Sequence, residues 1–192
     1  MTTTDTRALE SELRNRIAGE VRFDAYSRAM YSTDASIYQM QPVGVVVPRD
    51  ADDVAAAIAT CAKAGVAVLP RGGGTSLAGQ TVNHAVVLDF SKYMRTVLEV
   101  NPEERWARAQ PGITLDELNH HLLPYGLHFT PDPTTSSRAT VGGAIGNNSC
   151  GAHSVVYGKT SDHVKELSVV LSNGQPAAFQ PLQGAALEAK LA

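Results

Sequence analysis

Apolar residues in the first half of the chain recur with periods that predict alternating helices and strands. Residues 6–17 carry leucine and isoleucine at helical spacing, which indicates a short amphipathic helix. The continuous β-branched run over 43–47 predicts a buried strand, and Asp50 is placed to begin the helix that follows. A second strand is predicted over 66–69. This order of strand, helix and strand favours a parallel βαβ unit.

The second half of the chain predicts shorter elements separated by turns. Thr114 and Glu117 have the spacing of a capping box, which marks the beginning of a helix. Asn173 and Gly174 are typical of a hairpin turn between two strands. A stretch rich in proline, threonine and serine over 130–139 predicts a loop. The remaining predictions are strands over 86–89, 97–100, 105–109, 164–171 and 177–179, and helices over 114–123, 140–147 and 187–192.

Composition and charge exclude several classes of protein. The 192 residues are 43% hydrophobic and 18% charged, with a formal net charge of −3, which fits a globular domain and not a nucleic-acid-binding surface. No apolar run is long enough to predict a transmembrane segment, and the polar residues 1–12 do not resemble a secretory signal. Two cysteines, Cys61 and Cys150, predict no disulfide framework and are too few to ligate an iron–sulfur cluster. We therefore expect a cytoplasmic protein.

Residues 70–80 directly follow a predicted buried strand and form the first glycine loop. Three successive glycines can adopt positive φ and let the backbone approach a ligand, and successive N–H groups in such a turn bind anions. Hydroxyl groups add donors and Arg71 adds positive charge, so a pyrophosphate is the expected ligand. The alternative is a plain flexible loop. The predicted ligand contacts are Pro70, Arg71, Gly72, Gly73, Gly74, Thr75, Ser76, Leu77 and Gly79.

Two motifs for other nucleotides are incomplete in this sequence. Residues 74–81 match a Walker A motif except that Gln80 replaces the lysine that neutralises phosphate charge. A strand and not a helix is predicted after this segment, so we expect no nucleotide hydrolysis. Residues 141–146 nearly match the Rossmann glycine pattern, but Val141 replaces its first glycine and a loop precedes the segment.

A second segment, rich in small residues, covers 140–151 and follows the loop over 130–139. Small residues also allow tight packing of a helix on a sheet, which is the alternative interpretation. Polar side chains such as Asn147 and Ser149 would not be needed in a dry contact, so a ligand site is favoured.

These two segments, in this order and spacing, resemble the FAD-binding domain of the vanillyl-alcohol oxidase and p-cresol methylhydroxylase family over residues 42–174. Within that family they are most similar to the FAD-linked D-2-hydroxy-acid dehydrogenases, which act on lactate, glycolate or 2-hydroxyglutarate. Residues 146–154 look like those of the long members, in which an iron–sulfur region follows. The resemblance implies that the chain is one domain of a longer enzyme.

The fold implied by the resemblance is an α+β, two-subdomain FAD-binding domain of the p-cresol methylhydroxylase type. It combines a small parallel βαβ subdomain over 38–95 with a mixed-sheet subdomain with helices over 96–180. Residues 1–37 would form a helical lead-in and 181–192 a truncated tail. The cofactor contacts implied in the second segment are Pro131, Asp132, Thr140, Gly142, Gly143, Gly146, Asn147, Ser149, Gly151, Tyr157, Gly158 and Val164.

FAD is the implied cofactor, and we expect noncovalent binding. Several family members attach FAD through a histidine at the position that Thr75 occupies here, and Cys150 lies out of register with the cysteine that some relatives use. The intact enzyme is implied to oxidise a D-2-hydroxy acid by hydride transfer to flavin N5. Its substrate-binding and catalytic groups are expected beyond residue 192, so we predict no catalytic residue and no metal ligand in this chain.

The implied partners are a small hydroxy-acid substrate of the full-length enzyme and no nucleic acid. We also expect self-association through the apolar surface that would face a substrate-binding cap, and peripheral attachment of the full-length enzyme to the inner membrane is a further expectation. Two alternatives stay open. One is a stand-alone or remnant flavin-binding module without turnover, and the other is the FAD domain of an enzyme like UDP-N-acetylenolpyruvoylglucosamine reductase.

Several other polar and aromatic side chains have structural interpretations. Adjacent histidines on one helix project about 100° apart, which does not suit a shared metal ion. We expect solvated His120 and His121, hydrogen-bonded loop residues at His153 and His163, Trp106 in the core and Asp162 in a structural role.

Overall fold

The computed structural model describes residues 6–191, so residues 1–5 of the predicted lead-in and Ala192 of the predicted last helix lie outside the described residues. The helix predicted over 6–17 is confirmed as α1, Thr6–Arg16. Its leucines at helical spacing, Leu9 and Leu13, are buried. The further helices are α2 Ala25–Met30, α3 Ala51–Lys63, α4 Leu115–Leu122, α5 Val141–Asn147, α6 Ser154–Tyr157 and α7 Ala185–Leu191, with 3₁₀ turns at Leu123–Tyr125 and Thr160–His163.

The first sheet has four strands, β1 Glu20–Arg22, β2 Gly44–Val47, β3 Val68–Arg71 and β4 Val86–Asp89, in the order β1-β2-β4-β3. The predicted βαβ unit is present, because β2, α3 and β3 follow one another and both strands run parallel to β4. The two strands are not neighbours, however, since β4 lies between them. The short antiparallel edge strand β1 and the helix α2 were not predicted.

Helix beginnings follow the predicted capping residues. The Asp50 carboxylate accepts a hydrogen bond from the Asp53 N–H at 3.0 Å, which caps α3. At α4 the Glu117 N–H donates to Thr114 Oγ1 at 3.3 Å, and the Thr114 N–H donates to Glu117 Oε2 at 3.1 Å. Both capping predictions are therefore confirmed.

The main core lies where α1 and α3 pack on one face of the first sheet, and Cys61 is fully buried there. The residues between α1 and β1 are anchored to α3 by the buried carboxylate of Asp53. It accepts hydrogen bonds from the N–H groups of Ala18 at 2.8 Å, Gly19 at 2.9 Å and Arg49 at 2.9 Å. Residues 6–22 are thus an integral part of the first sheet and its helical layer.

Four more strands form two separate antiparallel hairpins, where one mixed sheet was expected. The hairpin of β5 Val97–Asn101 and β6 Trp106–Ala109 packs with α4. The hairpin of β7 Leu167–Val170 and β8 Pro176–Phe179 lies instead against α3, because its turn residue Gly174 meets the small residues Ala55 and Ala59 of that helix. The interface is close enough that a Cβ on Gly174 would stand 3.0 Å from the carbonyl oxygen of Ala55.

Trp106 was expected in the core, and this was wrong. The residue is only partly buried, and its indole Nε1–H donates to the Glu104 carboxylate at 2.9 Å. The turn before β6 supplies that acceptor at the surface, so the ring's one donor is satisfied there. Across residues 6–191 no helix has the length and hydropathy needed to cross a bilayer.

Candidate functional site

A groove of about 360 Å³ separates the first glycine loop from α5 and the residues that lead into it. This volume lies within the range of small-molecule sites. Its walls are peptide groups, hydroxyls, side-chain amides and small apolar groups, contributed by Gly72, Gly74, Thr75, Ser76, Leu77, Ala78, Gln80, Thr81, Thr135, Ala139, Thr140, Gly143, Ala144, Asn147 and Ser149.

The three successive glycines of the loop have different physical roles. Of the three, Gly74 alone has a positive φ, at 65°. A Cβ on Gly72 would stand 2.1 Å from Thr140 Oγ1, and a Cβ on Gly73 would stand 2.1 Å from the carbonyl oxygen of Arg138. Only Gly74 of these three glycines therefore uses the positive φ that glycine allows. Gly72 and Gly73 are required because the loop packs directly against the residues that precede α5.

The guanidinium group of Arg71 does not point into the groove as a free cation. It donates to the carbonyl oxygens of Tyr31 at 3.3 Å, Thr81 at 3.0 Å and Thr33 at 2.8 Å. It also lies over the Tyr31 ring, 5.3 Å from its centroid. These contacts show that Arg71 fixes the backbone around the loop, and its role in adding charge for phosphate stays a prediction.

The buried hydroxyl of Ser76 organises the far end of the glycine loop. It donates to Gln80 Oε1 and accepts hydrogen bonds from the N–H groups of Ala78 at 3.3 Å and Gln80 at 3.4 Å. The backbone then turns directly into β4 without forming a helix. The predicted absence of a P-loop helix after Gln80 is thus confirmed.

The α5 wall begins at the buried residue Thr140, whose Oγ1 accepts the N–H of Gly143 at 3.2 Å and caps the helix. Gly142 has a packing reason, since a Cβ there would stand 2.8 Å from Pro111. Gly143 and Gly146 have none of comparable strength. A Cβ on Gly143 would contact only Oγ1 of the capping residue Thr140, at 3.2 Å. A Cβ on Gly146 would meet no atom within 4 Å among the described residues.

Asp132 fixes the turn after α5. Its carboxylate accepts the His153 N–H at 3.0 Å and lies 2.6 Å from His153 Nδ1. The hydrogen bond from the His153 backbone holds the pKa of Asp132 below its ordinary value. A Cβ on Gly151 would stand 2.1 Å from the Asp132 carbonyl oxygen. These contacts account for Asp132 and Gly151 without a ligand.

The histidine and aspartate near the second segment have structural contacts, as expected. His163 Nε2 lies 2.9 Å from the carbonyl oxygen of Tyr157 and 3.2 Å from Thr130 Oγ1. Asp162 accepts the Lys159 N–H at 2.8 Å. His120 and His121 are exposed on α4.

The groove brings together part of the predicted site and adds residues that the sequence did not single out. Predicted residues that line it are Gly72, Gly74, Thr75, Ser76, Leu77, Thr140, Gly143, Asn147 and Ser149. Predicted residues outside its lining are Pro70, Arg71, Gly73, Gly79, Pro131, Asp132, Gly142, Gly146, Gly151, Tyr157, Gly158 and Val164. The additional lining residues are Ala78, Gln80, Thr81, Thr135, Ala139 and Ala144, most of which are sequence neighbours of predicted ones.

Among the residues that the structure describes, none that lines the groove carries an ionisable side chain. An anion there would be bound by peptide N–H groups and hydroxyls. Within residues 6–191 no cluster of histidine, cysteine and carboxylate side chains could hold a metal ion. Cys61 is sequestered in the core, where burial raises the pKa of its thiol to about 11, while Cys150 is exposed and does not line the groove.

Comparison with known proteins identifies the domain type. Residues 42–178 match the family model of the FAD binding domain. The chain is 44% identical over 183 residues to the D-2-hydroxyglutarate dehydrogenase of Pseudomonas putida. This alignment covers 94% of this chain and 18% of that protein. It is 37% identical over 164 residues to the glycolate oxidase subunit GlcD of Bacillus subtilis, covering 83% of this chain and 35% of that protein. The chain therefore spans only a fraction of these relatives.

Solved structures show the same fold at low sequence identity. An alkyldihydroxyacetonephosphate synthase superposes with a TM-score of 0.81 at 24% identity, over 93% of this chain and 35% of that one. The carbohydrate oxidase of Microdochium nivale gives a TM-score of 0.76 at 21% identity, over 89% of this chain and 37% of that one. The expected fold class is thereby confirmed.

Proposed function

The chain belongs to the family of FAD-binding domains, and we propose that FAD lies in the groove between the first glycine loop and α5. The observation that carries this assignment is the free space beside Gly143, which lines the groove. The protein itself does not fill that space, whereas a ligand in the groove would need it. The pyrophosphate would contact the peptide N–H groups and hydroxyls of the glycine loop, which suits an anion site without cationic side chains.

The proposed contacts extend beyond the groove lining along the second segment. FAD is a long molecule, so residues beside the groove such as Gly146, Tyr157 and Gly158 are proposed contacts of its other parts. Noncovalent binding is proposed because Thr75, at the groove wall, has no imidazole to form a histidyl bond. The cofactor-binding domain is proposed to comprise 38–180, with residues 6–37 supporting it through β1.

The longer enzyme that contains this domain would oxidise a D-2-hydroxy acid in the cytoplasm. The relatives named D-2-hydroxyglutarate dehydrogenase and glycolate oxidase subunit support this class of substrate. Bound FAD would supply the acceptor, flavin N5, for a hydride from the substrate α-carbon. This chain's contribution is to bind and orient the cofactor, and the groups that bind the substrate carboxylate would lie elsewhere in the longer protein.

A titration of the purified chain with FAD, followed by flavin fluorescence, tests the site. The unmodified chain should bind FAD, and Gly143→Val should lose most of that affinity because its side chain would enter the free space. Ala62→Val is the control, since it also places a valine at an exposed helix position, but on α3. Unchanged FAD affinity in Gly143→Val, with normal binding by the control, would place the cofactor elsewhere.

A further inference from the structure

Residues 31–39 form a closed turn, called the clamp below, that precedes β2 and lies beside the glycine loop. Its ends meet where the Met40 N–H donates to the carbonyl oxygen of Ser32 at 2.9 Å. Thr33 and Gln39 form an antiparallel bridge across it. The buried Ser32 hydroxyl donates to the Ala29 carbonyl at 2.7 Å, which joins the clamp to α2. The clamp is therefore an ordered element and not a loose connection.

The clamp contacts the glycine loop at its beginning, its middle and its end. At the beginning, Arg71 donates to two clamp carbonyls, those of Tyr31 and Thr33. In the middle, the Ala35 N–H donates to the carbonyl oxygen of Gly74 at 3.0 Å. These contacts fix the backbone on either side of the glycines that face the groove.

At the loop's end the contact is made by a carboxylate. Asp34 Oδ2 accepts a hydrogen bond from Thr81 Oγ1 at 2.8 Å and the Thr81 N–H at 3.4 Å, and Thr81 lines the groove. The other oxygen, Oδ1, accepts the Ser36 N–H at 2.8 Å within the clamp. Burial raises the pKa of Asp34, but the hydrogen bonds from Ser36 and Thr81 outweigh it, so the net pKa is lowered and the group is ionised at neutral pH.

We infer that Asp34 is a positioning residue for the cofactor site, which holds Thr81 and the end of the glycine loop in the geometry that accepts FAD. Asp34 does not line the groove itself, so its effect passes through Thr81. This inference rests on the proposed function. Arg71 also donates to the Thr81 carbonyl, so Thr81 is held by both Arg71 and Asp34. Loss of the Asp34 carboxylate would free the side chain and the N–H of Thr81.

The test is FAD binding by Asp34→Ala, Thr81→Val and the double variant, measured by flavin fluorescence together with thermal unfolding of the FAD-free chain. Hydrogen bonds to a charged group have the strength to change affinity roughly tenfold or more, so Asp34→Ala should raise the Kd by at least that factor. The two effects should not add: removing Asp34 should weaken binding less in Thr81→Val, which keeps only the longer N–H contact to Asp34, than in the unmodified chain. Thr81→Ser, which keeps the hydroxyl, should bind like the unmodified chain.

The matched control is Asp24→Ala. Asp24 also accepts a backbone N–H in a local turn, from Ser27 at 2.9 Å, but it caps α2 and belongs neither to the clamp nor to the glycine loop. Asp24→Ala should lower the unfolding temperature and leave the Kd for FAD unchanged. Should Asp34→Ala fail to fold, Asp34→Asn keeps the size and the turn to Ser36 while it removes the charge, and it should still weaken binding.

Three outcomes separate the possibilities. If the unmodified chain binds FAD and Asp34→Ala binds equally well, the positioning role is refuted. It is also refuted if Asp24→Ala and Asp34→Ala weaken binding alike, because the effect would then be general destabilisation. Failure of the unmodified chain itself to bind FAD would instead overturn the proposed function.

Discussion

Gly73 and Arg138 touch through backbone alone, since a Cβ on the glycine would stand 2.1 Å from the arginine's carbonyl oxygen. The contact joins the first glycine loop to the residues that precede α5. These two segments form the two walls of the groove. Any side chain at position 73 must therefore push the walls apart. This is a stronger constraint than the phosphate approach that the sequence indicated.

The first prediction concerns Gly73→Val. The variant should lose FAD binding and should also lower the free energy of unfolding of the FAD-free chain by about 1–3 kcal/mol, as overpacking typically does. Urea unfolding together with a flavin titration measures both. Gly143→Val is the comparison, because it should lose FAD binding with little change in stability. Equal FAD affinity in Gly73→Val and the unmodified chain would contradict the assignment of this loop.

The second prediction concerns Gln80→Lys, which completes the Walker A motif. It should retain FAD binding and gain no affinity for Mg-ATP, because the chain passes from Gln80 into β4 and no helix N-terminus follows to receive phosphate. Calorimetric titration with each nucleotide measures this. Tight Mg-ATP binding would show that the glycine loop can act as a P-loop after all.

The third prediction concerns how FAD is attached. Acid precipitation of the FAD-loaded chain should release all of the flavin into the supernatant, as measured by its absorption. Thr75 cannot form a histidyl bond, and the exposed Cys150 does not line the groove. Flavin that remained in the pellet of the unmodified chain but not of Cys150→Ser would identify a thioether at that cysteine.

The fourth prediction concerns acid stability and Glu20. Hydrogen bonds from Lys92, Tyr93 and Arg22 lower the pKa of Glu20 from 4.5 to about 2. A carboxyl with a lowered folded-state pKa contributes stability that is fully present above the unfolded pKa and is lost as pH falls toward the folded value. The stability difference between the unmodified chain and Glu20→Gln should therefore be constant near neutral pH and shrink between about pH 4.5 and 2.

The measurement is the urea unfolding midpoint at each pH across that range. Glu103→Gln is the control, because Glu103 is exposed. A difference for Glu20→Gln that stayed constant down to pH 2 would contradict the lowered pKa.

Local patterns predicted most of the helices and strands, because they depend on neighbours in sequence. The capping box at Thr114 and the buried run of β2 are examples. The strand β1 was missed because three residues carry no periodicity, and its position is set by pairing with β2 across a long separation. The clamp was missed for the same reason, since residues such as Asp34 act through partners that are distant in sequence.

The candidate site was predicted as two segments, and the structure shows that they meet. Sequence alone could not tell which glycines face a ligand and which face protein. Gly72 and Gly143 carry the same signal in the sequence, yet a Cβ on Gly72 would collide with Thr140 while one on Gly143 would face the groove. That distinction depends on tertiary contacts.

The place of β4 between β2 and β3 has a consequence for synthesis on the ribosome. β3 emerges before its hydrogen-bonding partner, so its edge stays unpaired until residues 86–89 have left the exit tunnel. The glycine loop connects β3 to β4 and emerges during that interval. A nascent chain that pauses there exposes an open sheet edge beside an unfinished groove, and an unpaired edge of this kind is prone to aggregation.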